Sequence, residues 1–249
     1  METTVLLPVF AGLAGACGGS FAATAALRSL RGEQAVVGRS HCDGCGVTLG
    51  FAATTPILSY AAFGGACHHC QARIDPAHVT GEIVGAVVAA TAFWCAPPAQ
   101  ATLISLMALV LLAASIIDQR TQRLPDILTL SVALLSLGLA ALNGQVLAGL
   151  VAGAVTFALL EGVRRGFLLR RGRSGLGFGD VKLLTALALW LRLATPWAVI
   201  VAALIGLGVV ALTRPIGGRI AFGPSIAAGA MILGLAIQGG LVAVDGAVP

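Results

Sequence analysis

Ser174-Gly175-Leu176-Gly177-Phe178-Gly179-Asp180-Val181-Lys182-Leu183-Leu184 places three glycines and an aspartate at the mouth of an apolar segment. A carboxylate entering a bilayer is costly, because leaving water disfavours its charged form, so such a residue signals function. A second acid occupies a similar place: Asp118 closes the apolar run from Ala101 to Ile117. Two acids at one membrane face, on different helices, can share one proton and activate a water. The residues therefore read as an aspartyl protease working at a membrane surface.

Composition supports the membrane setting. The 249 residues are 58% hydrophobic and only 10% charged, with a mean hydropathy of +0.97. Soluble domains carry roughly 25% charged residues. A soluble α/β domain with buried parallel strands would show apolar runs of only about 4–8 residues, whereas the runs here approach the ~20 that cross a bilayer. The net charge of +5 does not point to nucleic acid, because the basic residues fall between apolar runs and form no stripe interleaved with aromatics.

The first run, Val5 to Leu27, is too long for a signal-peptide core and lacks a basic leader, so it reads as a retained membrane helix. Pro8 and the cluster Gly15, Gly18 and Gly19 suit a bend or close helix packing. Seven further runs follow: Gly81–Ala96, Ala101–Ile117, Ile127–Leu142, Val146–Val163, Gly177–Ala194, Pro196–Leu212 and Ala221–Leu241. The expectation is an all-α polytopic membrane protein of about eight transmembrane helices. Its organisation would be a first helix over 1–27, a cytoplasmic loop over 28–80 and a seven-helix membrane domain over 81–249.

Charge orients it. Alternating eight helices makes four loops cytoplasmic, and these hold 13 of the 15 Lys and Arg residues. The groups are Arg28, Arg31, Arg39 and Arg73; Arg120 and Arg123; Arg164, Arg165, Arg170, Arg171 and Arg173; and Arg214 and Arg219. Lys182 lies just inside a helix mouth on the same side, and Arg192 lies near the outer face. That asymmetry puts both termini outside and Asp118 and Asp180 together on the cytoplasmic face.

Neighbouring carboxylates cannot both ionise easily, so one stays charged and the other keeps its proton. The charged one takes a proton from an attacking water, and the protonated one donates to the developing oxyanion. Glycines at 177 and 179 give the backbone before Asp180 freedom and remove side chains that would block an extended peptide. Structural readings stand beside this one. Asp118 can pair with Arg120 or Arg123, and Asp180 with Lys182. Asp126, after Pro125, reads most simply as a helix N-cap, and Glu161 as a structural partner of Arg164 and Arg165.

Cys42-x-x-Cys45 and Cys67-x-x-Cys70, with 21 residues between them, approach the four-cysteine zinc pattern. In a cytoplasmic loop, disulfides are disfavoured. A structural zinc site held by Cys42, Cys45, Cys67 and Cys70 is the leading reading; a redox dithiol and metal-free thiols are the others. His41, His68 and His69 are substitute ligands, and Cys17 and Cys95 read as core residues.

In order, the chain presents Gly19-Ser20-Phe21 with Arg28, Ser40-His41-Cys42-x-x-Cys45, Pro56-Ile57-Leu58-Ser59-Tyr60 and Cys67-x-x-Cys70. Asp118-x-x-x-x-Arg123-Leu124-Pro125-Asp126 and Gly177-x-Gly179-Asp180-Val181-Lys182 complete the set. This ordered set resembles the bacterial type IV prepilin peptidases, bifunctional leader peptidases and N-methyltransferases of the inner membrane. The resemblance implies cleavage of prepilin or pseudopilin leaders on the cytoplasmic side, after a glycine and usually before a phenylalanine. It implies that Asp118 and Asp180 are the catalytic pair and that the four cysteines bind zinc. It also implies methylation of the new N-terminal amine from S-adenosylmethionine. Many relatives have proline where Asp43 stands. Relatives often read Tyr-Pro-x-x-Glu where this chain has His78-Val79-Thr80-Gly81-Glu82, which matches Glu82 to the glutamate linked to methyl transfer. No glycine-rich fingerprint for S-adenosylmethionine is visible.

Other readings make different demands. A transporter with a zinc knuckle would line a path across the bilayer with its acids, not gather them at one face. A thiol-redox enzyme would hold its cysteine pairs outside. Other intramembrane proteases with a G-x-G-D motif usually show Tyr-Asp for the first acid, where this chain has Ile117-Asp118.

Overall fold

The computed structural model describes residues 2–35, 37–172, 175–213 and 221–242. Among these the chain is helical: α1 Glu2–Leu30, α2 Phe51–Thr54, α3 Leu58–Ala62, α4 Pro76–Cys95, α5 Pro98–Thr121, α6 Asp126–Leu142, α7 Val146–Arg171, α8 Phe178–Leu191, α9 Thr195–Thr213 and α10 Gly223–Gln238. A 3-10 turn, Arg192–Ala194, joins α8 to α9. The eight helices of fourteen residues or more follow the eight apolar runs one for one.

Among the described residues, five stretches are long and apolar enough to cross a membrane: Leu6–Leu30, Pro76–Cys95, Pro98–Thr121, Val146–Arg171 and Phe178–Leu212, the last combining α8 and α9. Asp126–Leu142 and Gly223–Gln238 are apolar but shorter. Arg173, Arg214 and Arg219, used to orient the chain, lie outside the described residues.

The chain divides into two compact units, Met1–Trp94 and Cys95–Pro249. In the first, α1 and α4 cross on glycines. A Cβ on Gly15 would lie 2.2 Å from the Gly85 carbonyl oxygen, and one on Gly19 would lie 2.0 Å from that of Gly81. Apolar side chains gain little by leaving lipid for each other, so membrane helices associate through such close backbone approach. The helix runs on through Pro8, which sits near its start.

Helix α4 begins at Pro76, ahead of the apolar run at Gly81. Proline suits the first helical position, and Asp75 Oδ1 accepts the Ala77 N–H at 2.9 Å, which satisfies an otherwise orphaned donor. Between α1 and α4 lie two knuckles of the same design. The Cys42 N–H bonds Val47 O and the Gly46 N–H bonds Cys42 O; the Cys67 N–H bonds Ala72 O and the Gln71 N–H bonds Cys67 O. The fifth residue of each is left-handed, Gly46 at φ +71° and Gln71 at φ +61°.

In the second unit, α8 is the central helix, with Val181, Leu183, Leu184, Leu187 and Leu191 all buried. It packs against α6 and α7 and touches α10. Small residues again set the distances. A Cβ on Gly149 of α7 would lie 2.4 Å from Leu189 O, and one on Gly234 of α10 would lie 2.0 Å from the Trp190 ring.

Candidate active site and metal centre

The second unit brings Asp118 and Asp180 together. Asp118 lies in the last turn of α5, which ends at a left-handed Gln122, and its side chain is buried. Asp180 lies in the first turn of α8 and is half-buried, close enough for the charge of Asp118 to act directly on it. Each carboxylate faces the N–H of a glycine that opens a helix. Gly177, the N-cap of α8, turns its N–H toward Asp180 three residues on, the spacing of a capping box. Gly223, the first residue of α10, donates its N–H to Asp118 Oδ2 at 2.9 Å. A side chain on either glycine would push its carboxylate aside. A Cβ on Gly177 would lie 2.9 Å from Asp180 Oδ2, and one on Gly223 would lie 2.6 Å from Asp118 Oδ2.

Two structural readings of these acids are corrected. The N-cap of α6 is Pro125, in extended conformation, so Asp126 falls in the first helical turn. Asp126 instead accepts from Lys182 Nζ, so the partner of Lys182 is Asp126 rather than Asp180. This pair ties α6 to α8 beside the dyad. Leu124 packs onto Gly179, where a Cβ would come within 3.2 Å of its own. The Phe178 ring meets two cations, Arg164 at 5.1 Å and Lys182 at 5.0 Å from its centre. Glu161 is the structural acid anticipated: buried, it accepts from Arg164 at 2.7 and 2.8 Å and from Arg165 at 2.6 Å.

Gly223 had escaped the sequence reading. Its one signal is the order Phe222-Gly223-Pro224-Ser225 at the start of the last apolar run. Proline marks a helix start, but nothing local ties the glycine before it to an acid 105 residues away.

In the first unit the four cysteines converge. The sulfurs of Cys42, Cys45, Cys67 and Cys70 all lie within 4.8 Å of one another, with Cys42 and Cys70 at 3.7 Å. Tetrahedral zinc with Zn–S bonds of ~2.3 Å needs sulfurs ~3.8 Å apart. The four thiols therefore can hold a metal ion, and His41, His68 and His69 stand outside the cluster. Electrostatics agree. N–H groups of Cys70 and His69 aimed at Cys67 hold its thiol down, at about 6. At Cys70 the Ala72 N–H also favours the thiolate, but desolvation and the neighbouring sulfurs of Cys45, Cys42 and Cys67 outweigh it and push the thiol up to about 11. One negative sulfur is stabilised; several need a cation among them.

Beside the cluster lies a cavity of about 340 Å³. Arg28, Asp43, Tyr60, Phe63, His78 and Glu82 are among its lining residues. Glu82 is buried and accepts the Ser20 hydroxyl and the Ile57 N–H, both at 2.7 Å. Ile57 is the centre of a tight turn, φ +64° and ψ −49°, in which the Leu58 N–H bonds Pro56 O. A β-branched residue there is strained. Arg28, an orienting charge and a member of the ordered motif set above, is buried and donates to Val37 O at 3.3 Å and Arg39 O at 2.9 Å. Asp43 pairs with Arg31 at 2.8 Å.

Comparison with known proteins divides the chain much as the contacts do. Residues 13–96 match the bacterial peptidase A24 N-terminal domain, and residues 104–212 match the type IV leader peptidase family. A prepilin leader peptidase/N-methyltransferase of Burkholderia pseudomallei is 37% identical over 205 residues, covering 78% of this chain and 65% of that protein. The chain thus spans just under two thirds of that relative's length. Proteins of the same description from Neisseria gonorrhoeae and Pseudomonas aeruginosa are 34% and 35% identical, covering 78% and 77% of this chain and 70% and 69% of their own. No solved structure matches the chain at the stringency these relatives meet.

Proposed function

The chain belongs to the type IV leader peptidase family, and from that premise we propose that it cleaves the leaders of prepilins or pseudopilins with Asp118 and Asp180 as its catalytic pair. The observation that carries this reading is the approach of the two carboxylates at the ends of α5 and α8, each facing a glycine N–H. One carboxylate, charged, takes a proton as water attacks the peptide carbonyl; the other, protonated, donates to the carbonyl oxygen as it becomes an oxyanion. Half-exposed Asp180 is the side from which water and an extended peptide enter.

The setting is the bacterial inner membrane, with the bilayer around the apolar helices, both termini periplasmic and the dyad facing the cytoplasm. The distribution of arginines supports this orientation. Zinc held by Cys42, Cys45, Cys67 and Cys70 is the metal the sulfur spacing fits. The second half of the activity, methylation of the new N-terminal amine, is assigned to the first unit and to S-adenosylmethionine. The cavity there has the size of a small-molecule site, with acids for a cationic donor and for an amine, arginines for a carboxylate, and Tyr60 and Phe63 for a ring. When bound, the donor supplies an electrophilic methyl group. Glu82, engaged by Ser20 and Ile57, shapes the wall of this cavity as a positioning residue.

The test is prepilin processing in membranes by Asp118→Asn, Asp180→Asn and Asp126→Asn variants at matched expression. Loss of cleavage in the first two and its retention in the third is the expected result. Cleavage by either of the first two would overturn the dyad.

A further inference from the structure

We infer that Gly223 is a positioning residue of the cleavage site, and that α10 supplies a third wall to it beside α5 and α8. The inference rests on the dyad reading above. It starts from an asymmetry between the two aspartates. Asp180 is held by its own helix: Gly177 lies three residues before it, so the contact is local and comes with the fold of α8. Asp118 sits near the carboxyl end of α5, where nearby N–H groups are already used inside the helix and the local dipole offers nothing to a negative charge. Its donor must come from elsewhere, and the fold brings one from 105 residues away, the buried Gly223 N–H at 2.9 Å.

The donor is itself fixed. Pro224 sets the first turn of α10, and the Phe222 ring rests against α9 where Gly206 lacks a side chain, a Cβ there coming within 3.2 Å. Ser225 is buried behind it. The amide therefore has little freedom, and it aims Oδ2 of Asp118 in one direction. A catalytic carboxylate must be held within about 0.5 Å of its working geometry. At Gly223 any side chain breaks that hold: its Cβ would lie 2.6 Å from Oδ2 and 3.2 Å from Cγ. Ordinary contact begins near 3.4 Å, so the carboxylate must retreat by roughly 0.8 Å, and misplacement on the order of 1 Å costs on the order of a hundredfold in rate. Gly223 also lies beyond residues 104–212, the stretch matched by the peptidase family.

The experiment measures steady-state cleavage of a purified prepilin by the full chain in detergent, with thermal unfolding run on every sample. Gly223→Ala is compared with Gly208→Ala, a glycine of α9 with nothing within 4 Å of its would-be Cβ. A second variant replaces the Gly223 amide by an ester, using glycolic acid at that position, which deletes the N–H and adds no atom. Gly223→Ala is expected to lose about a hundredfold in kcat with KM near wild type, and to melt only several degrees lower, as loss of one such hydrogen bond predicts. The ester is expected to lose about tenfold or more, the worth of one hydrogen bond to a charged group, and Gly208→Ala to match wild type. Asp118→Asn, run alongside, separates the two ideas. If it is inactive while both Gly223 variants keep wild-type kcat, the dyad stands and the positioning role falls. If Asp118→Asn still cleaves, the dyad itself falls, and Gly223 has nothing to position.

Discussion

Replacing Glu82 by alanine or by glutamine should separate a positioning role from a chemical one. In the native protein its two oxygens accept the Ser20 hydroxyl and the Ile57 N–H at 2.7 Å each, inside a buried setting. Hydrogen bonds to a charged group contribute about 1.5–3 kcal/mol apiece, and alanine loses both. Part of that loss is offset, because the strained turn at Ile57 (φ +64°) is then free to relax, releasing about 1–3 kcal/mol. The net cost is about 0–5 kcal/mol, centred on ~2.5, and that central value is a fall in melting temperature of about 5–10 °C at this size. Glutamine behaves differently. Its oxygen can still accept from Ile57 and its N–H can donate to Ser20, whose hydroxyl is both donor and acceptor, so the cost is about 1 kcal/mol. Thermal unfolding in detergent measures the first effect; methylation of a pre-cleaved pilin peptide measures the second. The expected pattern is that glutamine keeps most of the methylation and alanine loses it, with cleavage by the other unit little changed in both. Equal stability of the two variants would refute the hydrogen-bond argument. A well-folded glutamine variant with no methylation would show that the negative charge itself is needed for the chemistry.

Gln71→Gly should stabilise the second cysteine knuckle by about 1 kcal/mol, because Gln71 holds φ +61° where its counterpart is Gly46; resistance of bound metal to a chelator reports it. Cys42→Ser and Cys67→Ser should each sharply lower zinc content measured by elemental analysis, since three thiolates leave a structural site open. Gly15→Leu should disrupt the crossing of α1 and α4, where a Cβ already meets backbone at 2.2 Å, and lower the yield of folded protein, whereas Gly162→Ala, with open space around it, should leave yield unchanged. Lys182→Met should cost no more than about 1 kcal/mol in stability, because Asp126 is largely exposed and such ion pairs are weak.

How far these features were legible depends on how local their causes are. Apolar run length is a property of consecutive residues, and every run became a helix. The cysteine pairs announce themselves because each half of the site is a single turn, Cys42 to Cys45 or Cys67 to Cys70. Asp180 was visible for the same reason: its glycines precede it. Helix starts were less clear, since Pro76 begins α4 within a polar stretch that hydropathy alone assigns to a loop. Asp126 was misread as a cap because N-cap preference ignores Pro125, which takes that conformation, and Lys182, which arrives from another helix. The donor to Asp118 was hidden altogether. Its distance along the chain carries no periodicity, and a backbone N–H leaves no mark in sequence beyond the absence of a side chain.

The paired cysteine knuckles have one more consequence, in chain entropy. Each supplies two sulfurs, so neither retains a cation alone, and a bound ion joins them as a cross-link would. The segment closed between Cys45 and Cys67 carries Pro56, Ser59, Tyr60 and Phe63, all of which line the cavity. Closing a loop of roughly 20 residues removes about 3 kcal/mol of disorder from the unfolded chain, by analogy with a disulfide. A metal held by the four sulfurs would therefore act at a distance from any chemistry, as the tether that decides whether this stretch of chain is a wall or a loose strap.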